Sequence, residues 1–278
     1  MDNSKTSAIL SQLSSQFTSL SPEWRKFLLS GIWSRITQNL NSSANQSQWI
    51  PVAIQPFLVY TTPGMVQCLQ QKNVTCATFQ ELVKNLDLAF PMMTNMKRQE
   101  LYPALKLFLS SRQNASGLAC SLNTNSSVWI KQNLGKFSAF GEYSDFLALN
   151  TNFSALDVLP VLTVPQLANF SLDLDAANNS AAISSVLGTL QNASDVYTFL
   201  TYLNADIMSK NMSAVHPPLA QALLNKTFAA IKSNISAFTT QDWTQLFQDK
   251  LNAVLPAITP DQISLIGQNL SCDSYQAM

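Results

Sequence analysis

One phrase is written twice in this 278-residue chain. Asn73-Val-Thr-Cys76-Ala-Thr-Phe79-Gln80-Glu-Leu82 returns as Asn269-Leu-Ser-Cys272-Asp-Ser-Tyr275-Gln276-Ala-Met278. Each copy holds an N-glycosylation sequon whose third residue abuts a cysteine. A hydroxyl residue, an aromatic and a glutamine then follow in one register. Upstream, Thr62-Pro63 precedes the first copy and Thr259-Pro260 the second, one residue out of step. Self-similarity at a long fixed period marks repeat architectures, in which each unit buries its apolar face against its neighbours. The period, from Cys76 to Cys272, sets the expected organisation. Residues 1–75 close a preceding unit, 76–271 form one full unit, and 272–278 open the next. On this reading the chain is a piece of a longer array, and Cys272 has its partner beyond residue 278.

The local pattern is helical. Phe79, Leu82, Val83, Leu86 and Phe90 recur at i, i+3, i+4, i+7 and i+11, one apolar stripe on a helix that Pro91 stops. A helix over 94–111 turns Met96, Leu101, Leu105 and Phe108 inward and makes a hairpin with the first. Val196, Phe199, Leu200, Leu203 and Ile207 form a further stripe, as do Trp243, Leu246, Phe247, Leu251, Val254, Leu255 and Ile258. Start signals agree. Ser21-Pro22 puts a capping hydroxyl before a proline at the first helical position, and Thr163…Gln166 and Thr259…Gln262 fit the capping box. Gly135 stands where a left-handed helix cap is usual. Residues 4–40 read as two helices, 41–48 as a polar loop and 49–60 as a short or kinked helix. Further short helices are expected over 127–134, 142–149, 154–160 and 163–172. Alternation of period two persists nowhere, and only 7 glycines occur. The reading is all-α: a right-handed superhelical stack of short helices, an armadillo-like α-solenoid, stapled by one or two disulfides. A compact all-α bundle is the alternative.

Sequons set the compartment. They stand at Asn41, Asn45, Asn73, Asn114, Asn125, Asn152, Asn169, Asn178, Asn192, Asn211, Asn225, Asn234 and Asn269, 13 of the 23 asparagines. Chance at this Ser/Thr content predicts roughly 4. The chain reads as secreted or cell-surface and glycan-coated. The first residues are polar, without the apolar core of a signal peptide, and no run reaches the roughly 18 apolar residues of a membrane span. Four cysteines in an oxidising compartment should mostly pair. Within one unit Cys76 pairs with Cys120, closing a loop that stabilises by roughly 3–4 kcal/mol. The runner-up is Cys68–Cys76. Cys68 is left free or bridged to Cys272.

No catalytic template is filled. The lone histidine, His216, lies in Val-His-Pro-Pro at a helix entry, and no Gly-x-Ser-x-Gly elbow holds a serine. No glycine-rich phosphate loop occurs. Asp173 and Asp175 are the closest carboxylates, but two residues apart they point to different faces, so calcium is not expected. With one histidine and no paired ligand spacing, zinc is not expected either. The 16 basic and 16 acidic residues balance, and the basic ones form no run, against nucleic-acid binding. No enzyme activity, cofactor or metal is expected. Met92, Met93 and Met96 beside Lys97 and Arg98 form the one cluster suited to an adaptable contact, and core filling is the competing reading. Residues 74–113 carry no sequon, which leaves them open to a partner.

The helix openings Leu162-Thr-Val-Pro-Gln-Leu-Ala-Asn-Phe170 and Ile258-Thr-Pro-Asp-Gln-Ile-Ser-Leu-Ile266, with the Asn-x-Ser/Thr-Cys element, resemble those of the mesothelin, stereocilin and otoancorin family. That resemblance implies an extracellular superhelical repeat protein in cell or matrix adhesion, and it implies no catalytic residues. The expected function is therefore a glycosylated extracellular or cell-surface module for protein–protein interaction. Its partners would be other extracellular proteins. The alternative is a secreted carrier of a lipid or other apolar ligand.

Overall fold

In the computed structural model, residues 11–38, 40, 50, 52–72, 74–113, 120, 125–172, 179–212, 215–266 and 272 are described, and among them every regular element is helical. The α-helices are α1 (Pro22–Gln38), α2 (Pro63–Gln71), α3 (Cys76–Ala89), α4 (Asn95–Gln113), α5 (Ser126–Asn133), α6 (Tyr143–Leu149), α7 (Val164–Leu172), α8 (Ser180–Thr189), α9 (Ala193–Ser209), α10 (Pro217–Ile231), α11 (Thr240–Thr244) and α12 (Pro260–Ile266).

A two-residue joint recurs between them. Seven times among the described residues a 3₁₀ segment ends, two residues follow, and an α-helix begins. The pairs are Leu20-Ser21, Thr61-Thr62, Met93-Thr94, Gly141-Glu142, Leu162-Thr163, Phe238-Thr239 and Ile258-Thr259. The first residue of each pair closes the 3₁₀ turn by donating its N–H backwards, as Met93 does to Phe90 and Ile258 to Leu255. The second is the N-cap. Ser21, Thr62, Thr94, Thr163, Thr239 and Thr259 each accept from the N–H three residues on, at 3.3–3.4 Å. This satisfies a donor that a helix start otherwise leaves orphaned. At Thr163 and Thr259 the box closes, with Gln166 and Gln262 accepting from the capping residue's own N–H at 3.0 and 2.9 Å. Gln262 then reaches Asn225 of α10 at 2.8 Å, so this cap also ties two helices.

The chain divides into two compact units, Met1–Phe153 and Ser154–Met278. In the first, helices pack on their second neighbours: α2 on α4, α4 on α6, and α3 on α5. In the second, α7 packs on α9 and α8 on α10, and α9 also packs on its sequence neighbour α10. The first unit's core holds Phe79 and Phe108, whose rings stack at 4.0 Å, with Trp129, Phe137 and Phe146 fully buried nearby in sequence. The Cys76–Cys120 disulfide is formed and joins the start of α3 to the chain beyond α4. Cys68 and Cys272 carry no disulfide. At Gly135 the backbone turns left-handed (φ 52°), and a Cβ there would meet the Asp87 carboxylate at 2.3 Å. Only glycine lets Asp87 accept from the Lys136 N–H at 2.8 Å, bracing α3 against this turn.

Three expectations change. Met96 does not face inward: it is 71% exposed and Met92 62%, while Met93 is buried. Met93 occupies the joint, so the inward stripe of α4 starts a turn later, at Leu101. The 94–111 helix and α3 touch through Phe79 and Phe108, but the main backbone packing of α4 is on α2 and α6 rather than on its hairpin partner. The stripe 243–258 is mostly buried as expected, yet it is not one α-helix. It passes through α11, a π-helical stretch Gln245–Lys250 and a 3₁₀ turn Leu255–Ala257. Asn204 of α9 causes this locally: its Nδ2 donates to the Asp249 and Lys250 carbonyls at 2.7 and 3.0 Å, and its Oδ1 accepts from Ala253 N–H. Those groups are thereby withdrawn from helical pairing, and Pro256 supplies no N–H. Likewise 49–60 resolves, from Val52, into a 3₁₀ segment carrying Pro56. Residues 41–48 lie outside the described residues, as do 4–10 of the first expected helix.

Candidate functional site: glycan acceptors and an apolar ledge

Among the described residues the sequon asparagines are less buried than the others, although Asn95, Asn179 and Asn252 lie outside sequons and are exposed too. Of the sequon asparagines, Asn125, Asn152, Asn192, Asn211, Asn225 and Asn234 are exposed and Asn169 is half-buried, while Asn41, Asn45, Asn73, Asn114, Asn178 and Asn269 lie outside the described residues. No described sequon asparagine is buried. Among the others, Asn85, Asn133, Asn150 and Asn204 are buried.

Each buried asparagine is held by hydrogen bonds. Asn85 accepts from Gln55 at 2.9 Å and donates to Glu81; Asn133 accepts from Gln80 at 3.1 Å and donates to the Trp129 carbonyl. Asn150 accepts from the Asn152 N–H at 3.1 Å, and Asn204 holds the π-helical stretch. A buried carboxamide needs such partners, since an unmet one costs about 1–3 kcal/mol. None of these four could carry a sugar.

At two of the exposed sequon asparagines the side-chain oxygen caps a helix. Asn125 and Asn192 are N-caps of α5 and α9 whose Oδ1 accepts from Ser127 and Asp195 N–H at 2.8 and 3.0 Å. A glycan attaches through Nδ2, so capping and modification use different atoms of one side chain. Asn211 takes the left-handed conformation (φ 53°) just past α9, a post asparagine tolerates better than most residues. Asn169 is the outlier, its Nδ2 donating to Asp206 of α9 at 3.2 Å.

A second surface lies in the sequon-free window. Leu88, Met92 and Met96, 59%, 62% and 71% exposed, follow at four-residue steps around the α3–α4 turn. Arg98 is fixed beneath them, donating to the Phe90 and Pro91 carbonyls at 3.1 and 3.2 Å with its guanidinium 4.4 Å from the Phe90 ring. Lys97 pairs with Glu100 at 3.0 Å. The exposed residues of the ledge are therefore apolar, with Lys97 paired to Glu100 and Arg98 held by carbonyls and a ring.

Elsewhere in the first unit Asp145 gathers Tyr102 Oη, at 2.8 Å, and Lys106 Nζ, and accepts from the Glu142 N–H at the start of α6. Burial raises the Asp145 carboxyl, but the Lys106 and Tyr102 hydrogen bonds outweigh it, and the net pKa is lowered. Burial first, and the hydrogen bond to Asp145 second, push the Tyr102 phenol far above its usual range. A lowered carboxyl adds stability above its unfolded pKa and loses it as pH falls through the folded value. Asp145→Asn is expected to cost about 1 kcal/mol at pH 7 in urea titration. That difference should shrink as pH falls below the unfolded carboxyl value of about 4 and on through the lower folded one.

His216 is exposed at the N-cap position of α10 and makes no side-chain cap bond; Asp173 and Asp175 lie outside the described residues. Among the described residues no three His, Cys, Asp or Glu side chains gather as a metal site, and no helix is long and apolar enough to cross a membrane. One feature had no signal in the apolar periodicity: a cleft of about 260 Å³ in the second unit between α9, α10 and the π-helical stretch, lined by Tyr197, Ile231, Asn234, Phe238, Asp242 and Lys250 among others.

No family model, curated protein or solved structure matches the chain.

Proposed function

We propose that this chain is a glycosylated extracellular or cell-surface helical-repeat module that binds other proteins in cell or matrix adhesion. The observation that carries the reading is the sorting of asparagines. Among the described residues no sequon asparagine is buried, whereas four of the seven asparagines outside sequons are, as selection for sugar attachment would arrange them. A Cys76–Cys120 bridge suits the same oxidising compartment. Helices that pack on second neighbours suit a superhelical stack, and the capping boxes at Thr163 and Thr259 lie in the phrases that resemble those of mesothelin-like proteins. Binding is assigned to the Leu88/Met92/Met96 ledge, since methionine-rich apolar surfaces adapt to a partner and no sequon falls between 74 and 113.

Secretory expression followed by glycopeptide mapping tests the compartment: sugar is expected on the exposed sequons, and a secreted product with every sequon bare overturns the reading. For adhesion, cells are plated on immobilised protein. Lys97→Thr turns Asn95-Met96-Lys97 into a new sequon on the ledge, whereas Lys97→Ala removes the same ion pair without adding sugar. Attachment lost with the first variant and kept with the second supports the assignment; equal attachment to both overturns it.

A further inference from the structure

We infer that the cleft in the second unit is the seat of the first sugar of a glycan on Asn234; this rests on reading the chain as glycosylated. Asn234 is itself a wall of the cleft, exposed, and follows α10 directly. A sugar bonded to Asn234 is therefore attached at the edge of the cavity. The cavity, about 260 Å³, is just under the roughly 300 Å³ at which ligand clefts for drug-sized molecules begin. That suits one N-acetylhexosamine rather than an oligosaccharide.

Its lining matches such a sugar. Phe238 and Tyr197 offer aromatic faces to pyranose C–H groups, and Ile231, Leu246 and Ala230 offer apolar surface to an acetamido methyl. Asp242, Gln245 and Lys250 stand among the lining residues as acceptors and donors for ring hydroxyls and the acetamido group. Part of their capacity is already used: Asp242 accepts from Thr239 N–H and Oγ1 at 2.8 and 2.6 Å, and Lys250 donates to Thr201 at 2.7 Å. A carboxylate takes up to about four hydrogen bonds and an ammonium gives three, so both retain capacity. Burial, then the charge of Asp242, raises the Tyr197 phenol, which keeps it a neutral donor. The opposite wall is the π-helical stretch Gln245–Lys250, whose widened turn brings Gln245, Leu246 and Lys250 to the cavity. Phe238 stays in place against Trp243, with ring centroids 5.0 Å apart.

A second cavity, of about 350 Å³, shares Ala193 and Ala230 with the first and is lined by another acceptor, Asn192. Its lining has no aromatic residue. The seat is therefore assigned to the Asn234 glycan alone.

The test uses the secreted full chain with high-mannose glycans. Native endoglycosidase H, which cuts after the first sugar, is followed site by site by mass spectrometry. Release at Asn234 is expected to be about tenfold slower than at the open turn residue Asn152, equivalent to roughly 1.4 kcal/mol of protection. The difference should disappear in denatured protein and shrink in Phe238→Ser. As a variant-free check, saturation-transfer NMR should show the acetamido methyl of the Asn234 sugar in contact with aromatic protons. Equal native release at both sites, with no such contact, overturns the inference. Asn234 found bare while other sequons carry sugar overturns it too and leaves the glycosylation reading standing; every sequon bare removes that reading first.

Discussion

Loss of the Cys76–Cys120 bridge is expected to destabilise the first unit by about 4 kcal/mol, lowering its melting temperature by about 10 °C. The bridge spans 44 positions and constrains the unfolded chain around α3 and α4, which carry the unit's stacked Phe79 and Phe108. Cys76→Ser and Cys120→Ser should act alike, and the double variant should cost no more than either single one. Calorimetry reads the effect in the transition of residues before 154; a shift of less than about 2 °C would mean the folded unit holds these segments without the bridge. Alkylation of the native protein should label Cys272, which is exposed, and Cys68 more slowly, with Cys76 and Cys120 labelled only after reduction.

The second large effect is expected at Phe79. Its side chain is fully buried and its ring lies parallel to Phe108 at 4.0 Å. Phe79→Ala removes that burial and leaves a cavity in a close-packed interior, which costs about 3–5 kcal/mol. Phe108→Ala should cost a similar amount. Because the rings touch, the double variant should fall short of the sum by about 0.5–1.5 kcal/mol, the part owed to the ring pair itself. Strict additivity in a urea-denaturation cycle would show that the stack contributes only its buried area.

The Met ledge separates what a pattern carries from what it does not. Phe79, Leu82, Val83 and Leu86 were readable as a buried stripe because a helix repeats its faces every 3.6 residues, whatever it packs against. Met92 is as apolar, yet it is exposed, because the chain between α3 and α4 is a 3₁₀ turn and a joint, where that period does not run; Met96, exposed in the first turn of α4, precedes the inward stripe that starts at Leu101. The stripe from Trp243 to Val254 shows the converse: its burial was legible, but its helix type was not, since Asn204 claims its carbonyls from 45 residues away. Of the candidate site, the acceptor asparagines were all named by their sequons. Their separation from the buried asparagines was not, because Asn204 and Asn225 look alike until their neighbours in space are known.

By itself the sequence determined the helical class, the capping residues Ser21, Thr163 and Thr259 and the core stripes, and it placed Cys76–Cys120 ahead of Cys68–Cys76, all from local periodicity or from a phrase repeated along the chain. Tertiary structure alone decided which helices pack on their second neighbours, the π-helical wall, and the cleft at Asn234. Those depend on contacts between residues distant in sequence, and a linear pattern holds no record of which distant group will take up a given carbonyl or fill a given gap.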